Sequence, residues 1–206
     1  MSIAAPPGRR TQAAPSNGGR FHWTVDTFYR AIAAGVFDEP SRLELIHGDL
    51  LEKETVNPPH ARVTERIARL FRVRFEPGFW VLEEKPLHLA SDGEPIPDVQ
   101  IVNGAPEQYE DHHPTGEDVR LVVEVTDTTV ERDTVEKVFL YAQAGIADYW
   151  VSLINNRELL VYRNPTPDGY GEPQRLRDGD NVTPLFAPDV TLAVAGLLPR
   201  PAPDVT

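Results

Sequence analysis

Cysteine is absent from the 206 residues, which excludes disulfides, thiolate zinc sites and cysteine nucleophiles and accords with a reducing, cytoplasmic setting. No run approaches the ~18 consecutive apolar residues of a membrane span. The first 20 residues lack both acids and the apolar core of a secretory signal, so export is not expected. They are rich in Ala, Pro, Gly and Ser and carry Arg9, Arg10 and Arg20, the composition of a flexible tail. Basic charge is scarce elsewhere: the chain carries −12 overall, and without the three tail arginines the remainder carries −15. A phosphate backbone is repelled by such a protein on average, so any nucleic-acid contact must be weak or local. With 40% apolar residues, the length suits one domain with a full core. The expected organisation is a tail at 1–20, a domain at 21–198 and a loose end at 199–206.

Two apolar runs carry acids. Ile96 to Val102 contains Pro97-Asp98, and Leu121-Val122-Val123-Glu124-Val125 places Glu124 among four aliphatic neighbours. Dense Val, Ile and Leu in runs of five to seven is the pattern of strands buried on both faces. A carboxylate buried there costs several kcal/mol unless something pairs with it. Glu124 therefore calls for a cation, either an arginine or lysine partner or a metal ion. Asp98, taken alone, is also compatible with an ordinary turn or cap residue.

Val130 to Gly145 reads as a helix. Val135, Val138, Phe139 and Ala142 recur at three to four residues and form an apolar stripe expected to face the core. Asp133, Lys137 and Tyr141, at steps of four, form a polar ridge on the opposite face. Asp133 and Lys137 are one turn apart, a spacing that by itself describes an i, i+4 pair worth about 0.2–0.5 kcal/mol. Gly145 ends the helix, and Ala147 to Val151 reads as the next strand.

Pro97-Asp98, Glu124-Val125, Asp133 with Lys137 and Tyr141, Ala144-Gly145-Ile146 and Tyr149-Trp150 occur in that order. With Leu43 to Leu50 and Pro58-Pro59-His60, they resemble the Uma-type family of putative restriction endonucleases in the PD-(D/E)XK nuclease superfamily. The likeness runs from about Trp23 to Leu198. It implies an α/β (α+β) fold with a restriction-endonuclease-like core, a mixed central β-sheet flanked by helices. It further implies that Asp98 and Glu124 hold a divalent metal with the backbone carbonyl of Val125. Magnesium or manganese is the ion that such hard oxygen donors favour. Thr126 stands where the superfamily usually has its lysine, and Lys137 matches the position to which that role has moved. Glu44 matches an acid that approaches the same metal, and His60 is placed near the active site or phosphate. Asp133 would hold the Lys137 ammonium, and Tyr141 would pack beside it or contact substrate. Thr126 to Thr129 and Leu153 depart from the family pattern. The implied function is metal-dependent hydrolysis of DNA phosphodiesters by a homodimer, since double-strand cutting ordinarily takes two sites. The alternative is a catalytically silent nuclease-like module, which the acidic balance favours.

The rest of the chain frames this core. Thr24 caps an expected helix over 25–34, with Phe28 and Ile32 inward. Leu43 to Lys53 reads as a hairpin turning at Gly48. A helix runs from Asn57 to about Phe75, with Val63, Ile67, Leu70 and Phe71 inward and His60 in its first turn. Arg62, Arg66, Arg69, Arg72 and Arg74 lie on its outer side. They suit either phosphate contacts or a solvated face tempered by Glu65 and Glu76. A strand at 79–84 is extended by 86–89. His112-His113 are exposed loop residues, because adjacent side chains seldom share an ion. A hairpin turns at Asn155 to Arg157, and short strands follow at 170–176 and 190–194.

Overall fold

A computed structural model describes residues 20–53, 57–127 and 132–200. Of the tails expected at 1–20 and 199–206, residues 1–19 and 201–206 lie outside the described residues, as does the unusual Thr128-Thr129 pair. A six-stranded sheet forms the centre. Its strands are β3 (Phe79–Glu83), β4 (Val99–Asn103), β5 (Val119–Thr126), β6 (Asp148–Leu153), β7 (Glu158–Arg163) and β8 (Gln174–Leu176), in that spatial order. Two further strands, β1 (Leu43–Ile46) and β2 (Asp49–Glu52), make a separate hairpin, and β9 (Asn181–Val182) pairs with β10 (Leu192–Ala193). Pairing in the main sheet is antiparallel except between β5 and β6. That parallel pair requires a crossover, supplied by a π-helical turn (Arg132–Glu136) running into helix α3 (Lys137–Gln143).

Helix α1 (Val25–Ala33) starts at a reciprocal capping box between Thr24 and Thr27. Helix α2 (Pro58–Phe75) starts at Asn57, whose side chain accepts from the His60 amide, and its first turn holds two prolines that have no amide to leave unpaired. The β1–β2 turn needs left-handed backbone at both central residues, and His47 (φ 50°) and Gly48 (φ 78°) supply it.

Alternation along β5 divides the core. Leu121, Val123 and Val125 pack with Val63, Ile67 and Phe71 of α2 on one face. Val122 faces the other way, with Tyr141, Tyr149 and Val151. Glu124, two residues from Val122, therefore points toward α3.

Four expectations change in the structure. Residues 86–89 do not extend β3; their contacts are single bridges such as His88 to Thr115. The strand expected over 170–176 shortens to Gln174–Leu176. The strand expected over 190–194 shortens to Leu192–Ala193. The largest change is in α3, whose inward face is rotated: Val138 and Ala142 are buried as expected, but Lys137 and Tyr141 join them in place of Val135 and Phe139. Val135 and Phe139 are 48% and 43% exposed, while Lys137 and Tyr141 are 3% and 0% exposed. The reason is electrostatic: two buried carboxylates beneath α3 recruit the ammonium and the hydroxyl. Desolvating those acids unpaired costs more than exposing two apolar side chains.

Candidate active site

The β4–β5 register, in which Val99 faces Val123, brings the residue before β4 up to the residues after Val123. Asp98 thus lies beside Glu124 and Val125. The Val125 amide donates to Asp98 Oδ2 at 2.8 Å, and the Asp98 amide approaches Glu124 Oε2 at 3.4 Å. Glu44 enters from β1, where the hairpin strand lies over the chain leading into β4; its Oε1 accepts from the Ile96 amide at 2.8 Å. All three acids are buried, at 1% exposure for Glu44, 3% for Asp98 and 2% for Glu124.

Two ammonium groups answer them. Lys137 Nζ lies 2.9 Å from Glu124 Oε1 and 3.1 Å from Glu44 Oε1, bridging the two glutamates. The Tyr141 hydroxyl donates to the same Glu124 oxygen at 2.8 Å. Lys53, at the end of the hairpin, donates to Asp98 Oδ1 at 2.9 Å and to the Ile96 carbonyl at 3.1 Å, with Glu84 Oε1 at 3.4 Å. His60 Nε2 lies 3.1 Å from Asp98 Oδ2, while the buried Nδ1 has no hydrogen-bond partner among the described residues.

Burial alone would raise the Asp98 pKa, but the charges of Lys53, His60 and Lys137, with the His60 hydrogen bond, hold it far below the ordinary carboxylate range. The reciprocal effects run upward. Burial depresses both Lys53 and His60, yet Asp98 and Glu124 overcome it, and each cation is held above its ordinary pKa. The loop after β5 is tied to the same corner: Asn57 Nδ2 donates to Asp127 Oδ2 at 2.5 Å, and Asn155 Nδ2 to the Asp127 carbonyl at 3.0 Å.

Of the residues singled out in the sequence, Glu44, His60, Asp98, Glu124, Val125, Lys137 and Tyr141 come together here. Asp133 lies in the π-helical turn, and its side chain is outside the described residues. The described partners of the Lys137 ammonium are Glu44 and Glu124. Thr126, where the resemblance led a lysine to be expected, is buried at the end of β5, and the α3 lysine reaches Glu124. Lys53 is the residue that sequence reasoning missed. Its only signal was a basic residue closing a hairpin strand in an acidic chain. His112 and His113 are exposed and take no part.

The donor set suits a hard divalent cation, since Asp98 and Glu124 supply oxygens from adjacent positions and the chain has no cysteine to offer a thiolate. Among the described residues no group of three or more His, Asp or Glu side chains is disposed to hold an ion. An ion here would therefore rest on two carboxylates and backbone oxygen. Not every buried acid belongs to this site. Asp148 is bonded by Trp150 Nε1, Arg163 Nε and the Leu185 amide, a set that ties β6 to β7 and the following loop.

The fold and this cluster of acids and lysine at the open end of β5 define a nuclease-like α/β domain. The sequence profile of the Uma2 family, described as putative restriction endonuclease, matches residues 25–195, and the chain belongs to that family. Among solved structures, it is similar to a putative nuclease belonging to DUF820 from Anabaena variabilis ATCC 29413. The TM-score is 0.67 at 16% identity, covering 84% of this chain and 96% of that one. No curated protein sequence matches. No helix among the described residues is long and apolar enough to cross a membrane.

Proposed function

We propose that the protein is a metal-dependent endonuclease that hydrolyses DNA phosphodiester bonds. The observation that carries this reading is the convergence of Asp98 from just before β4, Glu124 from β5 and Lys137 from α3 into one buried cluster. Asp98 and Glu124, with the Val125 carbonyl, would hold magnesium or manganese, which when bound polarises a phosphodiester and lowers the pKa of a coordinated water.

The chain's own residues supply the rest. Glu44 and Glu124 fix the Lys137 ammonium from two sides, so its charge stands preorganised next to the carboxylates rather than reorganising during reaction. Tyr141 takes a second bond on Glu124 Oε1 and limits the rotation of that carboxylate. The Val125 amide does the same for Asp98. His60 and Lys53 neutralise Asp98 in the absence of other cations, which keeps a buried acid ionised and ready to ligate. A homodimer presenting two such sites would cut both strands.

A plasmid-nicking assay tests the proposal. Nicking that requires magnesium or manganese, and that Asp98→Ala with Glu124→Ala abolishes, is the expected result. Nicking that survives Lys137→Ala contradicts the assigned mechanism. One observation favours a second reading, a silent nuclease-like module: both lysines already neutralise the acids. Specific nicking by pure protein, abolished by EDTA, excludes that reading.

A further inference from the structure

The charged feature that the candidate site leaves unused lies on the outer side of α2. Arg62, Arg66 and Arg69, together with Arg200 of the C-terminal segment, line an open groove of about 620 Å³. Arg42, Arg72, Arg157, Arg163, Arg175 and Arg177 each have a carboxylate within salt-bridge distance. Among the described residues, the four groove arginines have none. Glu65 shares the groove yet makes no ion pair with them. Arg66 gives one amino group to the Leu198 carbonyl, and its buried Nε has no hydrogen-bond partner among the described residues. Burial first, then the neighbouring charges of Arg200 and Arg157, lower the pKa of that guanidinium.

A chain with 32 acidic residues against 20 basic ones has ample carboxylates to pair these arginines. Concentrated positive charge with an unfilled buried donor instead matches an anion with several oxygens. The arginines at positions 62, 66 and 69 fall within about 60° of one another on the helix, and His60 lies roughly 120–180° away from them. The groove is therefore not the cradle of the phosphate at Asp98. It is a separate anchor across a helix about 10–12 Å thick, near the same helix end.

We propose that this groove binds the phosphodiester backbone of duplex DNA and supplies the local basic surface that an acidic nuclease needs to hold its substrate. The inference rests on the endonuclease reading for its choice of anion. Phosphates contacted through it lie away from the scissile one, so the groove sets affinity rather than the chemical step. Arginine, with its planar fork and permanent charge, suits that task at any physiological pH.

The test is fluorescence anisotropy of a labelled DNA duplex in EDTA, where cleavage cannot occur, over a salt series. The full-length protein is compared with Arg62→Ala/Arg69→Ala/Arg200→Ala, which leaves the Leu198 contact of Arg66 intact. Loss of three phosphate contacts is expected to reduce the slope of log affinity against log salt by about 2.7 and to weaken binding at least tenfold. In the cleavage assay the same variant is expected to raise KM with kcat unchanged. An unchanged slope and affinity would overturn the proposal. So would a wild-type protein that binds inorganic phosphate but no duplex, or one that prefers an RNA duplex through the same arginines. The two readings fail separately. A protein that binds DNA through the groove but takes no metal sinks the nuclease alone, while metal-dependent cleavage with an unaltered salt slope sinks the groove alone.

Discussion

Replacing Lys137 by Met tests whether its ammonium is the common counter-charge of two buried acids. Glu44 and Glu124 are 1% and 2% exposed, and both lie within 3.1 Å of the ammonium. Methionine keeps the length and apolar stem of lysine, so packing loss is small. Removing one partner of a buried pair costs about 3–5 kcal/mol because the remaining charge is stranded. Here two carboxylates are stranded together, though Glu44 keeps the Ile96 amide and Glu124 keeps the Tyr141 hydroxyl. A loss of about 3–5 kcal/mol is therefore expected, a large part of the 5–15 kcal/mol that holds an ordinary domain together. In a domain of this size that lowers Tm by roughly 6–20 °C. Urea unfolding at pH 8 measures it. The deficit should shrink toward pH 5, because protonation removes the charge of a stranded buried carboxylate. Such a group contributes stability at low pH that is lost as pH rises. Adding Glu44→Gln to Lys137→Met should recover part of the loss. A deficit below about 1 kcal/mol, or one independent of pH, would refute the pairing.

Further predictions address the same cluster. Tyr141→Phe removes a bond to a charged acceptor and should cost about 1.5–3 kcal/mol by denaturant unfolding. Lys53→Met frees Asp98 Oδ1, so manganese affinity measured by calorimetry should tighten roughly tenfold, about 1.4 kcal/mol; equal or weaker affinity would mean that Lys53 does not compete with the ion. The raised His60 pKa stabilises the fold fully below its ordinary value of about 6.5 and progressively less as pH rises through the folded-state value. His60→Gln should remove that alkaline limb in unfolding midpoints taken over about pH 6–8.5. The depressed Asp98 pKa acts in the opposite sense: its contribution is present above the ordinary aspartate value of about 3.9 and lost on acidification below it, and Asp98→Asn should flatten that acid limb.

The sheet was legible because its strands are runs of β-branched residues bounded by Gly, Pro and Asn, and two acids in such runs are anomalies that periodicity exposes. The capped start of α2 and the His47-Gly48 turn were equally local. The inward face of α3 was not. The apolar stripe correctly placed Val138 and Ala142 inside, but that Lys137 and Tyr141 turn inward in place of Val135 and Phe139 was decided by Glu44 and Glu124, which no helical period within α3 shows. Lys53 was hidden for a related reason. A lysine ending a hairpin strand is ordinary until the fold places it 2.9 Å from Asp98. The arginines of α2 were visible as a face, but that Arg62, Arg66 and Arg69 have no carboxylate partner among the described residues, while Arg72 pairs with Glu83, emerged only from the structure.

The most direct test of the central claim is calorimetric titration of manganese into the wild-type protein and into Asp98→Asn/Glu124→Gln, which keeps the shape of both side chains. Saturable binding by the wild type that disappears in the double variant is the predicted result. Binding of equal strength in both proteins, or none in either, would contradict a metal centre built on Asp98 and Glu124.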